Sequence, residues 1–465
     1  MADITLFNSY TRKKENVHSL KKGKLSLFVC GPTVYNYVHL GNARTYASFD
    51  MIVKYLRFSG LDVFYLQNIT DIDDKIIAQA NETGVSAQDL ALEFEQKYYQ
   101  DMQELGVDSV NEYARATDFI PEIIAQVNIL LEKGYAYDIS GDGIYYDISR
   151  FEDYGKLAGR TAEQADDGVS RIDEAVEKRN RGDFALWKRS KEGEPSWESP
   201  WGEGRPGWHI EDTAITEKYF GPQYDIHGGA RDLIFPHHEA EIAQMEAISG
   251  KKPLVRTWMH TGFLTVQGEK MSKSKGNFIT AREFLKDHSP RLFRLLMLKH
   301  HYRLPFDYTE SALEQTEAEL RYLDAFTDRL RVRAESANPL PGNSSNRIME
   351  DWKSAMNDDF NTPKALASLF ELANEGNRLL DENKLSPEHA MGMLSILKAI
   401  DSVFSFLFQW RENLVVPHEI QEVVARREQA RQEKNWAEAD KARQELETLG
   451  WETQDTPNGP QVRKK

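Results

Sequence analysis

The chain has 465 residues and a formal net charge of -16, with 74 Asp and Glu against 58 Lys and Arg. This length exceeds what one hydrophobic core organises and predicts about three domains, while the acidic balance excludes nonspecific nucleic-acid binding over the whole surface. A mean hydropathy of -0.60, with no run of eighteen apolar residues, excludes a membrane-spanning helix. The amino terminus lacks the apolar stretch of a signal peptide and Cys30 is the single cysteine, so we expect a cytoplasmic protein without disulfides.

The first elements predict a βαβ unit. A short apolar run at Leu25–Cys30, ended by a Gly-Pro pair, is typical of a buried strand. Apolar residues spaced by three and four between Asn42 and Gly60 predict an amphipathic helix, and Leu61–Gln67 predicts a second strand. Strand, helix and strand in close succession indicate a parallel, right-handed crossover.

The sequence HLGN stands at the start of this helix, at His39–Asn42. A helix amino terminus offers N–H groups and a partial positive charge to a phosphate, and Gly41 lets a ligand approach the backbone. His39 and Asn42 add side-chain donors. An ordinary helix cap beside a surface histidine is the alternative. The two commonest phosphate loops are absent, since GxxxxGK[ST] occurs nowhere and no GxGxxG follows the first strand.

The next region predicts two helices, at Ser86–Leu105 with Ser86 as cap and at Thr117–Lys133, and then a hairpin at Tyr135–Ile148. Residues 155–205 are charged and poor in apolar periodicity. Together with the segment before them they indicate an insertion at Ala116–Gly204 that splits the α/β domain.

Residues 206–246 contain PGWHIED and YDIHGGARDLIFPHHEAEIAQ. His237 and Glu241 are four residues apart, so a helix with Pro236 in its first turn would place both on one face, where they can bind one metal ion. Taken alone, such a pair is more commonly a surface ion pair.

A lysine-rich stretch, GEKMSKSKGNF, follows at Gly268–Phe278. Three ammonium groups between two glycines predict contact with a phosphate chain, although a lysine-rich surface loop in contact with solvent alone has the same composition. Residues 251–310 carry twelve Lys or Arg against five Asp or Glu. A basic segment in an acidic protein indicates a local polyanion site.

The carboxy-terminal part is helical. Helical spacing at Ala312–Ala334, Trp352–Asn374 and Ser386–Trp410 predicts a bundle, followed by a charged helix pair within Glu419–Leu449 and a small tail at Gly450–Lys465. From residue 411 onward ten basic residues face eleven acidic ones, so charge alone does not predict RNA binding there.

Eight segments, in this order, resemble the cysteinyl-tRNA synthetase family of class I aminoacyl-tRNA synthetases from end to end. They are CGPTVYNYVHLGNAR, NITDIDDK, PGWHIE, DIHGG, DLIFPHHEAEIAQ, EKMSKSKGNF, DDFNTPKALA and NWAEADKAR. Asn42 replaces the second histidine of the usual HxGH, and its neutral amide can still donate to phosphate. The resemblance implies ligation of L-cysteine to tRNA(Cys) through a cysteinyl-adenylate, using ATP with Mg and releasing AMP and pyrophosphate.

The resemblance also implies site residues. For catalysis and ATP binding they are His39, Gly41, Asn42, Lys270 and Lys273. For the amino acid they are Gly31, Thr70, Trp208 and His227. For one zinc ion they are Cys30, Asp212, His237 and Glu241. For the tRNA anticodon they are Arg431, Trp436 and Asp440.

Asp212 departs from the family, which usually has a second cysteine at this position. Aspartate keeps the anionic charge but replaces a soft thiolate with a harder oxygen. We expect an assembled site with weaker zinc affinity and a more Lewis-acidic metal. The alternative is a vestigial site in which Cys30 is a small buried hydrophobe.

The implied fold is α/β, a class I Rossmann-type parallel sheet split by an insertion, followed by an α-helical bundle and a small C-terminal anticodon-binding domain. The expected parts are the first catalytic half at 1–115, the insertion at 116–204, the second catalytic half at 205–250, a KMSKS-bearing stem-contact region at 251–310, the bundle at 311–416 and the anticodon domain at 417–465. We expect a monomer.

Two other functions fit parts of the sequence. A cysteine-adenylating ligase that transfers to an amino sugar shares the catalytic segments but should lack the anticodon-reading end, which NWAEADKAR at Asn435–Arg443 represents here. A noncatalytic RNA-binding or regulatory paralogue should lose HLGN or KMSKS, and both are intact.

Overall fold

A computed structural model of the chain describes residues 3–160, 177–271, 277–336, 346–408, 418–456 and 459–464. It forms two compact units, Met1–Leu407 and Phe408–Lys465. None of the helices in the described ranges has the length and apolar character needed to cross a bilayer.

The strands in the described ranges are β1 (Thr5–Asn8), β2 (Lys13–Asn16), β3 (Lys24–Val29), β4 (Asp62–Ile69), β5 (Glu112–Arg115), β6 (Ala136–Ile139), β7 (Gly143–Tyr146), β8 (Phe184–Arg189), β9 (Gly204–Pro206), β10 (Tyr224–Ala230), β11 (Val255–Thr261), β12 (Leu264–Val266), β13 (Glu269–Lys270), β14 (Phe306–Tyr308), β15 (Trp451–Thr456) and β16 (Gly459–Lys464). The α-helices there are α1 (Leu40–Phe58), α2 (Asp74–Thr83), α3 (Ala87–Glu104), α4 (Ile120–Glu132), α5 (Ile210–Phe220), α6 (Glu239–Ser249), α7 (Ala281–Asp287), α8 (Pro290–Leu298), α9 (Glu310–Ala334), α10 (Asn346–Asn357), α11 (Thr362–Asp381), α12 (Pro387–Phe404), α13 (His418–Gln432) and α14 (Trp436–Thr448).

A five-stranded parallel sheet, in the order β11-β10-β3-β4-β5, forms the centre of the first unit. In β3, Leu27, Phe28 and Val29 are fully buried, as expected of a strand covered on both faces. From β3 the chain passes to β4 on one side and later returns through β10 on the other. This reversal of strand order opens a crevice at the carboxyl ends of the strands, where ligands bind in such sheets.

The predicted strand–helix–strand unit is confirmed as β3, α1 and β4. The helix begins at Leu40, two residues before the predicted start, because His39 caps it: its Nδ1 accepts from the Asn42 N–H at 3.3 Å. The cap places the HLGN residues at the carboxyl edge of the sheet.

An antiparallel sheet of β6 to β9 lies between residues 136 and 206 and includes the predicted hairpin. Trp187 is completely buried and shares one hydrophobic core with Phe28 of the parallel sheet and Ile242 of α6. The insertion therefore packs against the same face of the sheet as the helices that border the crevice.

The prediction of one helix at Trp352–Asn374 is wrong. The structure has two, α10 and α11, separated by Asp359 and Phe360, whose φ angles are 59° and 51°. The Asn361 side chain caps α11 by accepting from the Lys364 N–H, and a proline stands in its first turn. Proline is favoured there but cannot continue a preceding helix.

The second unit contains α13, α14 and an antiparallel pair, β15 and β16, where the sequence indicated only a small tail. Its core consists of apolar residues from both helices and the first strand, namely Ile420, Val423, Val424, Ala442, Leu446 and Trp451.

Candidate active site and metal centre

The four predicted metal ligands come from three places around the crevice. Cys30 directly follows β3, Asp212 lies in α5, His237 lies two residues before α6 and Glu241 lies in the first turn of α6. All four are buried, and none is more than 5% exposed. The carboxyl end of the central strand and the starts of two helices thus meet at one point.

The ligand atoms of Cys30, Asp212, His237 and Glu241 all lie within 4.8 Å of one another. Cys30 Sγ is 3.4 Å from Asp212 Oδ2 and 4.0 Å from Glu241 Oε1, and His237 Nε2 is 3.0 Å and 3.3 Å from the same two oxygens. A zinc tetrahedron with bonds of about 2.0–2.3 Å has edges of about 3.3–3.8 Å. The distances between the four ligand atoms are therefore close to those around a single tetrahedral ion.

His237 reaches Glu241 four residues further along the helix, as predicted. Only Phe235 is extended in the helical segment Ile234–His238 (φ -137°, ψ 131°), and from Pro236 this segment continues directly into α6. The imidazole stacks on Trp208 with ring centroids 4.3 Å apart, and its Nδ1 lies 2.8 Å from a His209 ring nitrogen. These neighbours direct Nε2 toward the carboxylates.

Two further histidines approach the thiol of Cys30. The Nε2 atoms of His238 and His227 lie 3.1 Å and 3.3 Å from its Sγ. Their Nδ1 atoms lie 2.8 Å from His260 Nε2 and 2.6 Å from the Tyr224 hydroxyl. With Cys30 and Glu241 the two histidines form a second group that could hold a metal ion. Both as neighbours of the thiol and as members of this group, the two histidines place ring nitrogen atoms next to the sulfur.

Burial dominates the electrostatics of this cluster. It raises the pKa of Cys30 well above its ordinary value, and the nearby Asp212 and Glu241 carboxylates raise it further. Burial also raises the pKa of Glu241 and lowers the pKa of His227 and His238, whose imidazole neighbours add to the effect. A divalent cation bound here would lower the pKa of the thiol and of the carboxyl groups, because it favours their anionic forms.

The donor set fits such an ion. Within the described ranges, Asp212 Oδ1 and Glu241 Oε2 are buried and accept no hydrogen bond. Buried carboxylate oxygens normally have partners, and one thiol, one imidazole and two carboxylates are all ligands of zinc and related ions. The cluster is a possible buried metal site.

The predicted amino-acid pocket lies beside the cluster. A β-carbon at Gly31 would lie 1.7 Å from the Asn68 carbonyl oxygen, so only glycine fits there. The Gly31 N–H donates to Asn68 Oδ1 at 2.5 Å, and the Thr70 hydroxyl donates to the buried Glu211. His227 is not one of the described residues that line the cleft. It lies behind the Cys30 thiol.

The predicted nucleotide residues lie at the start of α1. The His39 ring is 5.3 Å from that of Phe278, and the Leu40 N–H donates to the Ile279 carbonyl at 2.9 Å. A β-carbon at Gly41 would lie 3.3 Å from Met271 Cε. The chain on both sides of residues 272–276 therefore contacts the HLGN residues. Lys273 lies outside the described residues, as does the Lys270 side chain.

One cleft contains residues of all three predicted sites, those for the metal ion, the amino acid and the nucleotide. It measures about 1110 Å³ including its open mouth, which is enough for an amino acid and a nucleotide together. The predicted residues that line it are Cys30, Gly31, His39, Asn42, Thr70, Trp208, Asp212 and His237.

The predicted tRNA residues belong to the second unit. Arg431 lies near the end of α13, and Trp436 and Asp440 lie one turn apart at the start of α14. Trp436 is 62% exposed, the most exposed large hydrophobic side chain of the described residues. Most of this ring is therefore accessible to a ligand and is not buried by the described part of its own unit.

Sequence reasoning missed several residues of the cluster, namely His209, Glu211, His238 and His260. Three of them lie inside the motifs PGWHIED and FPHHEAE, directly beside predicted residues. Their proximity in sequence was the available signal. His260 gave no such signal in the sequence. It lies in β11, and only the pairing of β11 with β10 brings it near the cluster.

The parallel sheet, the crevice at its reversal and the HLGN helix start define a class I aminoacyl-tRNA synthetase. The model of the class I (C) tRNA synthetase catalytic domain matches residues 16–318, the DALR domain model residues 351–409, and the cysteinyl-tRNA ligase anticodon binding domain model residues 415–463. The chain belongs to the cysteinyl-tRNA synthetase family.

Curated relatives match over the whole length. The cysteine–tRNA ligase of Thermococcus onnurineus is 44% identical over 98% of both chains, and that of Carboxydothermus hydrogenoformans is 43% identical over 98% of this chain and 99% of its own. Mycobacterium tuberculosis methionyl-tRNA synthetase in complex with methionyl-adenylate has a TM-score of 0.64 at 14% identity, covering 83% of this chain and 92% of that one. That similarity establishes the shared fold.

Proposed function

We propose that this protein ligates L-cysteine to tRNA(Cys) in two ATP-dependent steps through a cysteinyl-adenylate. The observation that carries the proposal is the single cleft that contains both the HLGN helix start and the Cys30–Asp212–His237 cluster. An amino acid bound at the cluster has its carboxylate directed toward a nucleotide bound at the helix.

In the first step the cysteine carboxylate attacks the α-phosphorus of ATP and pyrophosphate leaves. The carboxylate is already ionised, so positioning and charge stabilisation carry the step without a general base. His39, Asn42 and the amino terminus of α1 hold phosphate oxygens, and Gly41 keeps the approach open. Lys270 and Lys273 neutralise the leaving pyrophosphate, where Mg would supply further positive charge when bound with ATP.

In the second step a hydroxyl of the terminal adenosine of tRNA attacks the cysteinyl carbonyl and AMP leaves. Gly31, Thr70 and Trp208 line the amino-acid subsite, and His227 supports it from behind the Cys30 thiol. Thr70 is held by Glu211, and Trp208 by its stacking on His237. Both contacts fix the pocket walls before substrate arrives.

Cys30, Asp212, His237 and Glu241 would hold one zinc ion. When bound, the ion supplies a preference for the thiolate of cysteine over the hydroxyl of serine. A pocket alone separates such near-isosteres by only ~10²-fold. The residues of the chain contribute by fixing the ligand positions: Trp208 and His209 orient His237, and the histidines around Cys30 hold its sulfur.

The proposal includes the six-part division of the chain given by the sequence, a cytoplasmic location and a monomeric state. The single buried thiol supports a reducing compartment. A molecular mass measured in solution tests the monomer.

Charging of tRNA(Cys) transcripts tests the proposal. We expect cysteine to be attached in the presence of ATP, and no transfer to an amino sugar. Cysteine-dependent adenylation without tRNA charging would favour the amino-sugar ligase, and absence of both activities would favour a noncatalytic paralogue.

Arg431, Trp436 and Asp440 are proposed to read the anticodon, and Trp436→Ala tests this role. The exposed ring can stack on a base, a contact worth ~1–3 kcal/mol. We expect KM for tRNA to rise ~10-fold or more, while amino-acid activation stays unchanged. Leu449→Ala, at another exposed apolar residue of the same unit, is the control. Equal charging by wild type and Trp436→Ala would contradict the role.

A further inference from the structure

Arg44, in the second turn of α1, is 1% exposed and is not among the described residues that line the cleft. Its guanidinium donates five hydrogen bonds, all to backbone carbonyls. Nη1 donates to Gly262 O at 2.8 Å and to Phe263 O at 2.9 Å, and Nη2 donates to Leu304 O at 2.6 Å. Two longer bonds from Nη2, of 3.3 and 3.4 Å, reach His301 O and Tyr302 O.

This arrangement is unusual for a buried cation. No carboxylate of the described residues forms an ion pair with Arg44, and the guanidinium lies 4.9 Å from the centre of the Phe306 ring. Burial lowers its pKa to about 10. A buried charge that is met only by carbonyl dipoles and a ring is costly.

The five carbonyls belong to two segments that each lead into a strand. Phe263 immediately precedes β12, and Leu304 lies two residues before β14. These two strands pair in parallel, and β12 also pairs with β13, where Thr265 is opposite Lys270. Arg44 therefore fixes the start of the small sheet whose edge strand, β13, ends at Lys270, the first of the KMSKS residues, 270–274.

The same helix that carries Arg44 begins at the HLGN residues. The Ala281 N–H donates to the Val38 carbonyl at 2.8 Å, so the chain beyond the KMSKS residues is also attached at this point. Arg44 is thus placed between the two halves of the proposed nucleotide site. Its rigid fork can bridge two segments at once, whereas a lysine ammonium is a single point.

We propose that Arg44 is a positioning residue for amino-acid activation, holding the β12–β13–β14 sheet, and with it the backbone of Lys270, in register with the amino terminus of α1. This inference rests on the proposed function, since it is the nucleotide step that needs the two halves aligned. Misplacement of such groups by about 1 Å costs ~10²-fold in rate.

Arg44→Lys tests the inference because it keeps the charge and removes the fork. We expect kcat/KM for ATP in pyrophosphate exchange to fall ~10²-fold, with KM for cysteine unchanged. Amide hydrogen exchange of residues 264–266 and 306–308 should become faster. Arg44→Met should show the same pattern, and if that variant does not fold, Arg44→Lys alone decides.

Arg294→Met is the matched control. Arg294 is 2% exposed and also packs against α1, where it pairs with Asp50 at 2.8 Å and donates to carbonyls of Gly106 and Phe404. Its loss should lower the melting temperature. It should leave kcat/KM for ATP, and the amide hydrogen exchange of residues 264–266 and 306–308, within about twofold of wild type, as expected for a site without shared partners.

Three results separate the possibilities. Unchanged kinetics and hydrogen exchange in Arg44→Lys would overturn the inference, as would equal kinetic losses in Arg294→Met. Absence of pyrophosphate exchange in the wild-type protein would contradict the proposed function instead. In that case the amide hydrogen exchange of β12 and β14, compared between Arg44→Lys and wild type, decides by itself whether Arg44 positions the sheet.

Discussion

Asp212→Ala is expected to release the metal ion from the purified protein and to remove most of the discrimination between cysteine and serine. Asp212 is fully buried, and its Oδ2 lies 3.0 Å from His237 Nε2 and 3.4 Å from Cys30 Sγ. Changing even an outer partner of a ligand lowers metal affinity ~10–100-fold, so loss of a ligand should exceed this. Metal content by mass spectrometry and the serine-to-cysteine ratio in pyrophosphate exchange are the measurements.

Asp212→Cys is the control for this prediction. It supplies the thiolate that the family usually has and should bind zinc at least as tightly as wild type. Metal-stripped Asp212→Ala should melt close to metal-stripped wild type, because Asp212 repels the anionic forms of Cys30 and Glu241 when no cation is present. Full metal content in Asp212→Ala would exclude Asp212 as a ligand and would favour the second group, with His227 and His238.

His39→Ala is expected to lower the rate of cysteine activation ~10²–10³-fold, the usual cost of losing one donor to a developing charge. The residue has two separable tasks. Its Nδ1 caps α1 by accepting from the Asn42 N–H, and its ring lines the cleft. Pyrophosphate exchange at saturating ATP measures the second task, and thermal unfolding measures the first.

His39→Asn separates the two tasks. Asparagine is a good helix cap but its side chain is shorter than imidazole. We expect this variant to keep the melting temperature of wild type, whereas His39→Ala loses about 1 kcal/mol of stability. Both should lose activation to a similar degree. Recovery of activity in His39→Asn would mean that His39 acts by capping the helix alone.

The first βαβ unit could be read from sequence because its signals are local. The apolar run of β3, the periodicity of α1 and the HLGN start are each contained in a few residues. The cluster of Cys30, Asp212, His237 and Glu241 came from the resemblance, and its compactness follows from the meeting of the carboxyl end of β3 with the starts of α5 and α6.

The features that could not be predicted depend on contacts between distant residues. The helix break at Asp359 and Phe360 is an example. The Asp359 carboxylate accepts from the Phe7 N–H at 2.9 Å and the Tyr302 hydroxyl at 2.8 Å, and it pairs with Arg303 at 2.6 Å. No periodicity within the segment indicates these partners. The carbonyl contacts of Arg44 have the same origin, because its partners are more than 200 residues away.

Pyrophosphate exchange with cysteine and with serine, on protein of measured metal content, tests the proposed chemistry most directly. We predict cysteine-dependent exchange, with serine disfavoured by more than the ~10²-fold that a pocket alone provides, and loss of this discrimination when the metal is removed. Absence of cysteine-dependent exchange would contradict the proposed function. Undiminished rejection of serine by the metal-free protein would contradict selection by a metal bound at Cys30, Asp212, His237 and Glu241.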